Sequence, residues 1–131
     1  MMLGVTIKNL GRVAVLRCEG RIVAGDGATD LRNAAMSQGS KQILILDLAK
    51  VEAIDGSGLG LLVFLQGWTR TLGIALRLMN PMKQVQELLE LTNLDSVFDI
   101  CSSEDVASLL GHTALSASTT EVAHQFQEQC K

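Results

Sequence analysis

Ile43 to Leu65 reads ILILDLAKVEAIDGSGLGLLVFL. Its first part, Ile43 to Leu46, is a continuous apolar run rich in branched side chains. That is the pattern of a strand buried on both faces, as in a parallel sheet. Asp47 ends that run. The second part, from Ser57 onward, has helical features. A serine therefore stands just beyond a buried strand and just before a helix, between Gly56 and Gly58.

The flanking chain repeats this alternation. Arg12 to Val23 alternates apolar and polar residues and predicts a half-buried strand, with GVTIK (4–8) as a hairpin partner across a turn at Asn9-Leu10-Gly11. GDGATDLRNAAMSQGS (25–40) starts in loop glycines and becomes helical. Leu31, Ala34 and Ala35 share one face, and Gly39 is the expected stop. Ile74 to Met79 predicts a further strand. Asn80 and Pro81 predict the cap and first residue of a helix whose apolar stripe is Met82, Val85 and Leu89. SVFDI (96–100) predicts an edge strand. SSEDVASLLG (102–111) predicts a last core helix, capped by Ser102 or Ser103 and stopped by Gly111. His112 to Lys131 is polar and rich in small residues. It allows a weak amphipathic helix through Val122 and Phe126, or a tail. Strands alternating with helices predict an α/β domain over residues 1–111, followed by a C-terminal segment over 112–131.

Composition limits the function. The chain has 131 residues, enough for one domain with a real core. Net charge is -3, which supplies no broad basic field for nucleic acid or for an anionic membrane surface. The longest apolar run, Gly58 to Leu65, is far shorter than the roughly 18 residues of a membrane span. MMLGVTIKNLGRV lacks the layout of a signal peptide. Cys18, Cys101 and Cys130 are odd in number and without CxxC spacing, which points to a reduced, cytoplasmic setting. The cysteines and His112 and His124 lack metal-ligand spacing, so no metal and no cofactor is expected.

Several chemistries fail at Ser57. Asp55 and Leu59 occupy the glycine positions of a G-x-S-x-G elbow, and the phosphate-loop motif G-x-x-x-x-G-K-[ST] is absent. Both histidines lie far down the chain, and no acid–base constellation is visible, so no enzyme is expected. Two readings of Ser57 remain. Serine is a favoured helix cap, a role Asp55 could also fill. A hydroxyl at a helix start is also a good phosphate acceptor, because free N–H groups and the positive dipole end stabilise added charge. On this second reading Gly56 and Gly58 leave the hydroxyl open to a partner.

Placing the helix residues about 100° apart gathers Leu61, Phe64, Leu65, Trp68 and Leu72 on an expected core face. Leu59, Leu62 and Val63 then lie on the other side, within two turns of the helix start that holds Ser57. Either a neighbouring element covers them, or they form an exposed apolar patch for a partner. A phosphate there would add about -1.5 to -2 charge and disfavour an apolar or acidic interface.

These residues resemble the STAS domain of bacterial anti-sigma factor antagonists. The family pattern is an apolar strand ending in aspartate, about six residues, then D-[ST]-S-G-L-G. Here Asp47 ends the run, and Asp55-Gly56-Ser57-Gly58-Leu59-Gly60 fills the motif. LRLMNPMKQVQELLELTNLDSVFDI (76–100) is similar to a second landmark, where a strand passes through Asn-Pro into a helix, followed by T-x-L and a short F-x-I strand. The resemblance covers roughly Val5 to Leu110. It implies a single STAS-like domain with a mixed central sheet of about four to five strands packed with about four α-helices.

The resemblance also implies a function. Ser57 would be phosphorylated by a partner serine kinase that is itself the anti-sigma factor, with Asp55, Gly56 and Gly58 in the phosphorylation loop and Leu59, Leu62 and Val63 touching the partner. The unphosphorylated protein would bind the kinase and free the sigma factor, and the phosphorylated protein would let go. A phosphatase would reset Ser57, and a homodimer is left open. Gly56 replaces the first Ser/Thr of the motif, and Val23 stands where an early aspartate is often found. The alternative is a STAS-type structural subunit of a stress-signalling scaffold or of a membrane transporter complex.

Overall fold

The structure is a computed structural model and describes residues 3–106. Five strands form one sheet: β1 (Gly4–Leu10), β2 (Val13–Ile22), β3 (Ile43–Ile54), β4 (Ala75–Met79) and β5 (Asp99–Cys101). Three helices separate them: α1 (Asp26–Met36), α2 (Gly56–Thr71) and α3 (Lys83–Leu91), with a 3-10 turn at Leu94–Ser96. A further helix begins at Ser103. Spatial order equals chain order, β1-β2-β3-β4-β5. β1 and β2 are an antiparallel hairpin, and every later pairing is parallel. The expected mixed α/β sheet is present.

Each element has a local cause. The hairpin turns at Gly11, whose φ of 70° suits glycine. Along β2 and β3 the even-numbered side chains, such as Leu16, Cys18, Leu44 and Leu46, face the main core. Leu31 of α1, Leu62 and Leu65 of α2, and Val85 and Leu89 of α3 cover that face. On the opposite face Val13, Val15, Ile45 and Met79 pack with Val106 of the last helix. Burial on both faces explains the unbroken apolar run of β3. Ser102 caps that last helix: its hydroxyl accepts from the Asp105 N–H at 3.2 Å, and Asp105 Oδ2 accepts from the Ser102 N–H at 2.9 Å. Gly111, His112, His124, Cys130 and the segment 112–131 lie outside the described residues.

Several expected boundaries move. The edge strand expected over SVFDI (96–100) is Asp99–Cys101, because Leu94–Ser96 forms a 3-10 turn, and α1 ends at Met36 with Ser37 at its C-cap rather than at Gly39. β3 does not end at Asp47. It pairs with β4 only as far as Asp47, then continues beside β2 through Ile54 after a register shift. Asp47 sits at that irregularity, where its Oδ1 accepts from the Ala49 N–H at 3.1 Å and its Oδ2 lies 3.6 Å from Arg17 Nε. The buried carboxylate thus satisfies backbone inside the strand rather than stopping it. Asn80 also does not cap α3. Its N–H donates to the Cys101 carbonyl at 2.9 Å, extending the β4–β5 pairing, and its φ is 52°. The helix starts at Lys83 with Met82 at the N-cap position, so Pro81 precedes it.

Candidate functional site at the start of α2

Beyond Asp47, β2 and β3 continue as a two-stranded extension, and the site stands at its tip. The Asp55 N–H donates to the Ile22 carbonyl at 3.3 Å, closing the pairing, and α2 starts at the next residue. Asp55, not Ser57, is the N-cap. Its Oδ1 accepts from the Gly58 N–H at 2.8 Å, and the Asp55 carbonyl accepts from the Leu59 N–H at 2.9 Å. Its other oxygen, Oδ2, accepts from the Ala24 N–H at 3.2 Å, in the loop between β2 and α1. The Gly58 and Ala24 N–H groups, in that order, hold the Asp55 carboxyl below the usual aspartate range.

Ser57 is therefore the second residue of the helix rather than its cap. It is exposed, and among the described residues its hydroxyl has no hydrogen-bond partner. It stands in the first turn of α2, at the positive end of the helix dipole.

The two glycines differ. Gly56 is exposed, and a Cβ there would meet nothing within 4 Å. Gly58 is buried, and a Cβ there would strike the Ile22 carbonyl oxygen and lie 2.8 Å from Ile54 Cγ2. Its smallness lets the helix seat against the end of β2, and it does not open the hydroxyl to a partner.

That seating also sets the rotation of α2. The buried positions run Gly58, Leu62, Leu65, Thr69. Leu62 is fully buried in the main core, so it cannot contact a partner at the surface. Phe64 and Leu72, expected in the core, are exposed at 42% and 49%. Val63 is exposed at 44%, and Leu59 is partly buried against the core. The exposed residues in the two turns after Gly58 are thus Gly60, Val63 and Phe64, with the Arg32 guanidinium 4.9 Å from the Phe64 ring centre. Sequence phasing missed this, because six of the residues from Leu59 to Leu65 are apolar and the run carries almost no period.

The aspartate-to-Gly58 spacing was a readable cap signal. Nothing in the sequence pointed to Ala24 as the second partner. Val23, adjoining Ala24, is half-buried. Among the described residues no helix is long and apolar enough to cross a membrane.

Solved structures share this fold. A Thermotoga maritima protein, described as a candidate anti-sigma factor antagonist, is 24% identical over 74% of this chain and 85% of its own, with a TM-score of 0.68. The phosphorylated form of the Bacillus cell fate determinant SpoIIAA is 16% identical over 82% of this chain and 99% of its own, at a TM-score of 0.64. A sulfate transporter family protein from Wolinella succinogenes is 15% identical over 89% of this chain and 88% of its own, at 0.61. A model of the STAS domain matches residues 5–107, and with the Asp55–Gly60 motif at the start of α2 the chain belongs to the STAS domain family.

Proposed function

We propose that this protein is an anti-sigma factor antagonist, a cytoplasmic protein-binding switch and kinase substrate rather than an enzyme. The observation that carries the reading is Ser57, an exposed and unbonded hydroxyl at the N-terminus of a helix held by the Asp55 cap. The partner kinase supplies ATP and a base. Ser57 Oγ attacks the γ-phosphorus, the Oγ–P bond forms, the bond to the ADP oxygen breaks, and the hydroxyl proton passes to the kinase base. A phosphatase reverses the modification by hydrolysis. Asp55, Gly56 and Gly58 shape the acceptor loop. Leu59 and Val63 contribute to the partner surface, and Leu62 supports it from the core.

Before phosphorylation this surface presents Gly60, Val63 and Phe64, none of them charged. Afterwards it carries about -1.5 to -2 further charge, which opposes an apolar or acidic interface. The likeness to SpoIIAA, whose phosphorylated form has been solved, supports the reading. A pull-down from native extract with wild type and Ser57→Asp tests it. An ATP-binding kinase held by wild type and lost by Ser57→Asp is expected, and Ser57→Ala should abolish phosphorylation. Full phosphorylation of Ser57→Ala would overturn the assignment.

A second reading, a structural subunit of a transporter complex or signalling scaffold, is favoured by the fold shared with a sulfate transporter family protein. Equal retention of transporter subunits or other STAS proteins by both baits would select it.

A further inference from the structure

Asp55 does more than cap its own helix. Its Oδ1 serves Gly58 within α2, while its Oδ2 reaches the Ala24 N–H, 31 residues earlier in the chain. Ala24 belongs to the short loop that carries β2 into α1. The next residue, Gly25, has φ 114° and ψ -153°, a conformation that essentially glycine alone adopts. Gly25 stands at the N-cap position of α1 and provides no side-chain cap. The start of α1 is thus held in part by a carboxylate on a different helix.

We propose that Asp55 is a charge-sensitive latch: a phosphoryl group on Ser57 displaces its carboxylate from the Ala24 N–H and frees the Ala24–Gly25 loop, so that modification of α2 is read out at the start of α1. This rests on Ser57 being the acceptor proposed above.

Ser57 lies two residues after Asp55, and the Asp55 carboxylate accepts from the Gly58 N–H at 2.8 Å, with the Ser57 N–H one residue closer in the same turn. A phosphoserine brings three strong acceptor oxygens to those same donors. Two anions then compete for one set of N–H groups and the same dipole end. The outcome is asymmetric. The phosphate is tethered inside the first turn and can replace the carboxylate as the helix's acceptor. The carboxylate is solvent-exposed and can turn into water. Ala24 is also exposed, so its N–H takes water in exchange and no buried donor is orphaned. Helix α2 keeps a cap while the loop loses its tie.

Installing phosphoserine at position 57 of the full chain by genetic encoding, then measuring amide hydrogen exchange by NMR, tests the latch without any kinase. Exchange at Ala24 should accelerate about tenfold or more while Gly58 stays protected. Asp55→Asn turns one of the two oxygens, Oδ1 to Gly58 or Oδ2 to Ala24, into an NH2 donor that cannot accept from the N–H it faces. It should show fast Ala24 exchange without phosphate, and phosphoserine should add nothing further. Unchanged Ala24 exchange in the phosphoprotein, with the Gly58 resonance shifted by the nearby charge, would overturn the latch. The phospho-switch would then act by charge on the partner directly. If the installed phosphoserine left binding of the partner kinase unchanged, the proposed function would fall instead, whatever Ala24 did.

Discussion

The carbonyl oxygen of Ile22 fills the space in which a side chain at Gly58 would have to begin. The end of β2 and the first turn of α2 meet there, backbone against backbone. Gly58→Ala should therefore destabilise the domain by about 1–3 kcal/mol, since the blocking atom is backbone and cannot rotate away. Gly60→Ala and Gly67→Ala face open space within the same helix and should stabilise it by up to about 1 kcal/mol each. Urea denaturation of the three variants checks the contrast. Equal effects at all three positions would refute the close approach.

Leu62 and Val63 are neighbours with opposite surroundings, one fully buried and one 44% exposed. Leu62→Ala should cost about 2–5 kcal/mol of stability. Val63→Ala should change stability by no more than about 0.5 kcal/mol and, on the proposed function, weaken capture of the proposed kinase partner. Denaturation midpoints and a pull-down with each variant separate the two roles.

Burial, and then the charge of Asp47, push the Cys18 thiol from its ordinary 9.0 up to about 12. A folded-state value above the unfolded one stabilises fully below the unfolded value, and the contribution fades as pH rises toward the folded one. Between pH 9 and 12 the unfolded chain loses the thiol proton and the folded chain keeps it, so stability falls by about 1.4 kcal/mol per pH unit from this group. Wild type should lose more stability than Cys18→Ala between pH 8 and 10.5. Iodoacetamide at pH 8 should spare Cys18 in the native protein, as mass spectrometry of the alkylated peptides would show.

The Asp55 carboxyl is shifted the other way, downward, by the N–H groups of Gly58 and Ala24. Its contribution is present above the ordinary aspartate value and is lost as pH falls through the lower folded value. Asp55→Ala should lower the urea midpoint at pH 7 with an unchanged denaturant slope. The difference from wild type should shrink on acidification below the ordinary aspartate range. A difference that persisted undiminished at low pH would show that the carboxylate charge is not what stabilises the turn.

The alternation of strands and helices could be read from particular residues. The apolar run Ile43–Leu46 marked the central strand and Gly11 the hairpin turn, while SVFDI (96–100) marked the final edge, which forms over Asp99–Cys101. What sequence reading misjudged depended on contacts between distant segments. Asp47 looked like a strand end because an acidic residue seldom continues a buried strand. Arg17 and the Ala49 N–H, which make it tolerable there, come from pairing geometry. The rotation of α2 was hidden for a similar reason. Leu59, Leu61, Leu62, Val63, Phe64 and Leu65 are all apolar, so the Gly58–Ile22 contact, not hydrophobic period, decides which of them faces inward. Asn80 and Pro81 carried a true helix-start signal displaced by two residues, because β5 holds the Asn80 backbone in the sheet.

Strand order that follows chain order also has a consequence for synthesis. Each strand leaving the ribosome docks on the outer side of the one before it, and none has to be inserted between two already in place. The β1–β2 hairpin can form first, and each helix-linked strand then widens the sheet by one. Only β1 and β5 are left as borders. Contacts of this nearest-neighbour kind carry a low loop-closure cost and favour rapid assembly from the N-terminus. On this route the segment bearing Ser57 can reach its final setting once β2, β3 and α2 are present, before the last two strands have been made.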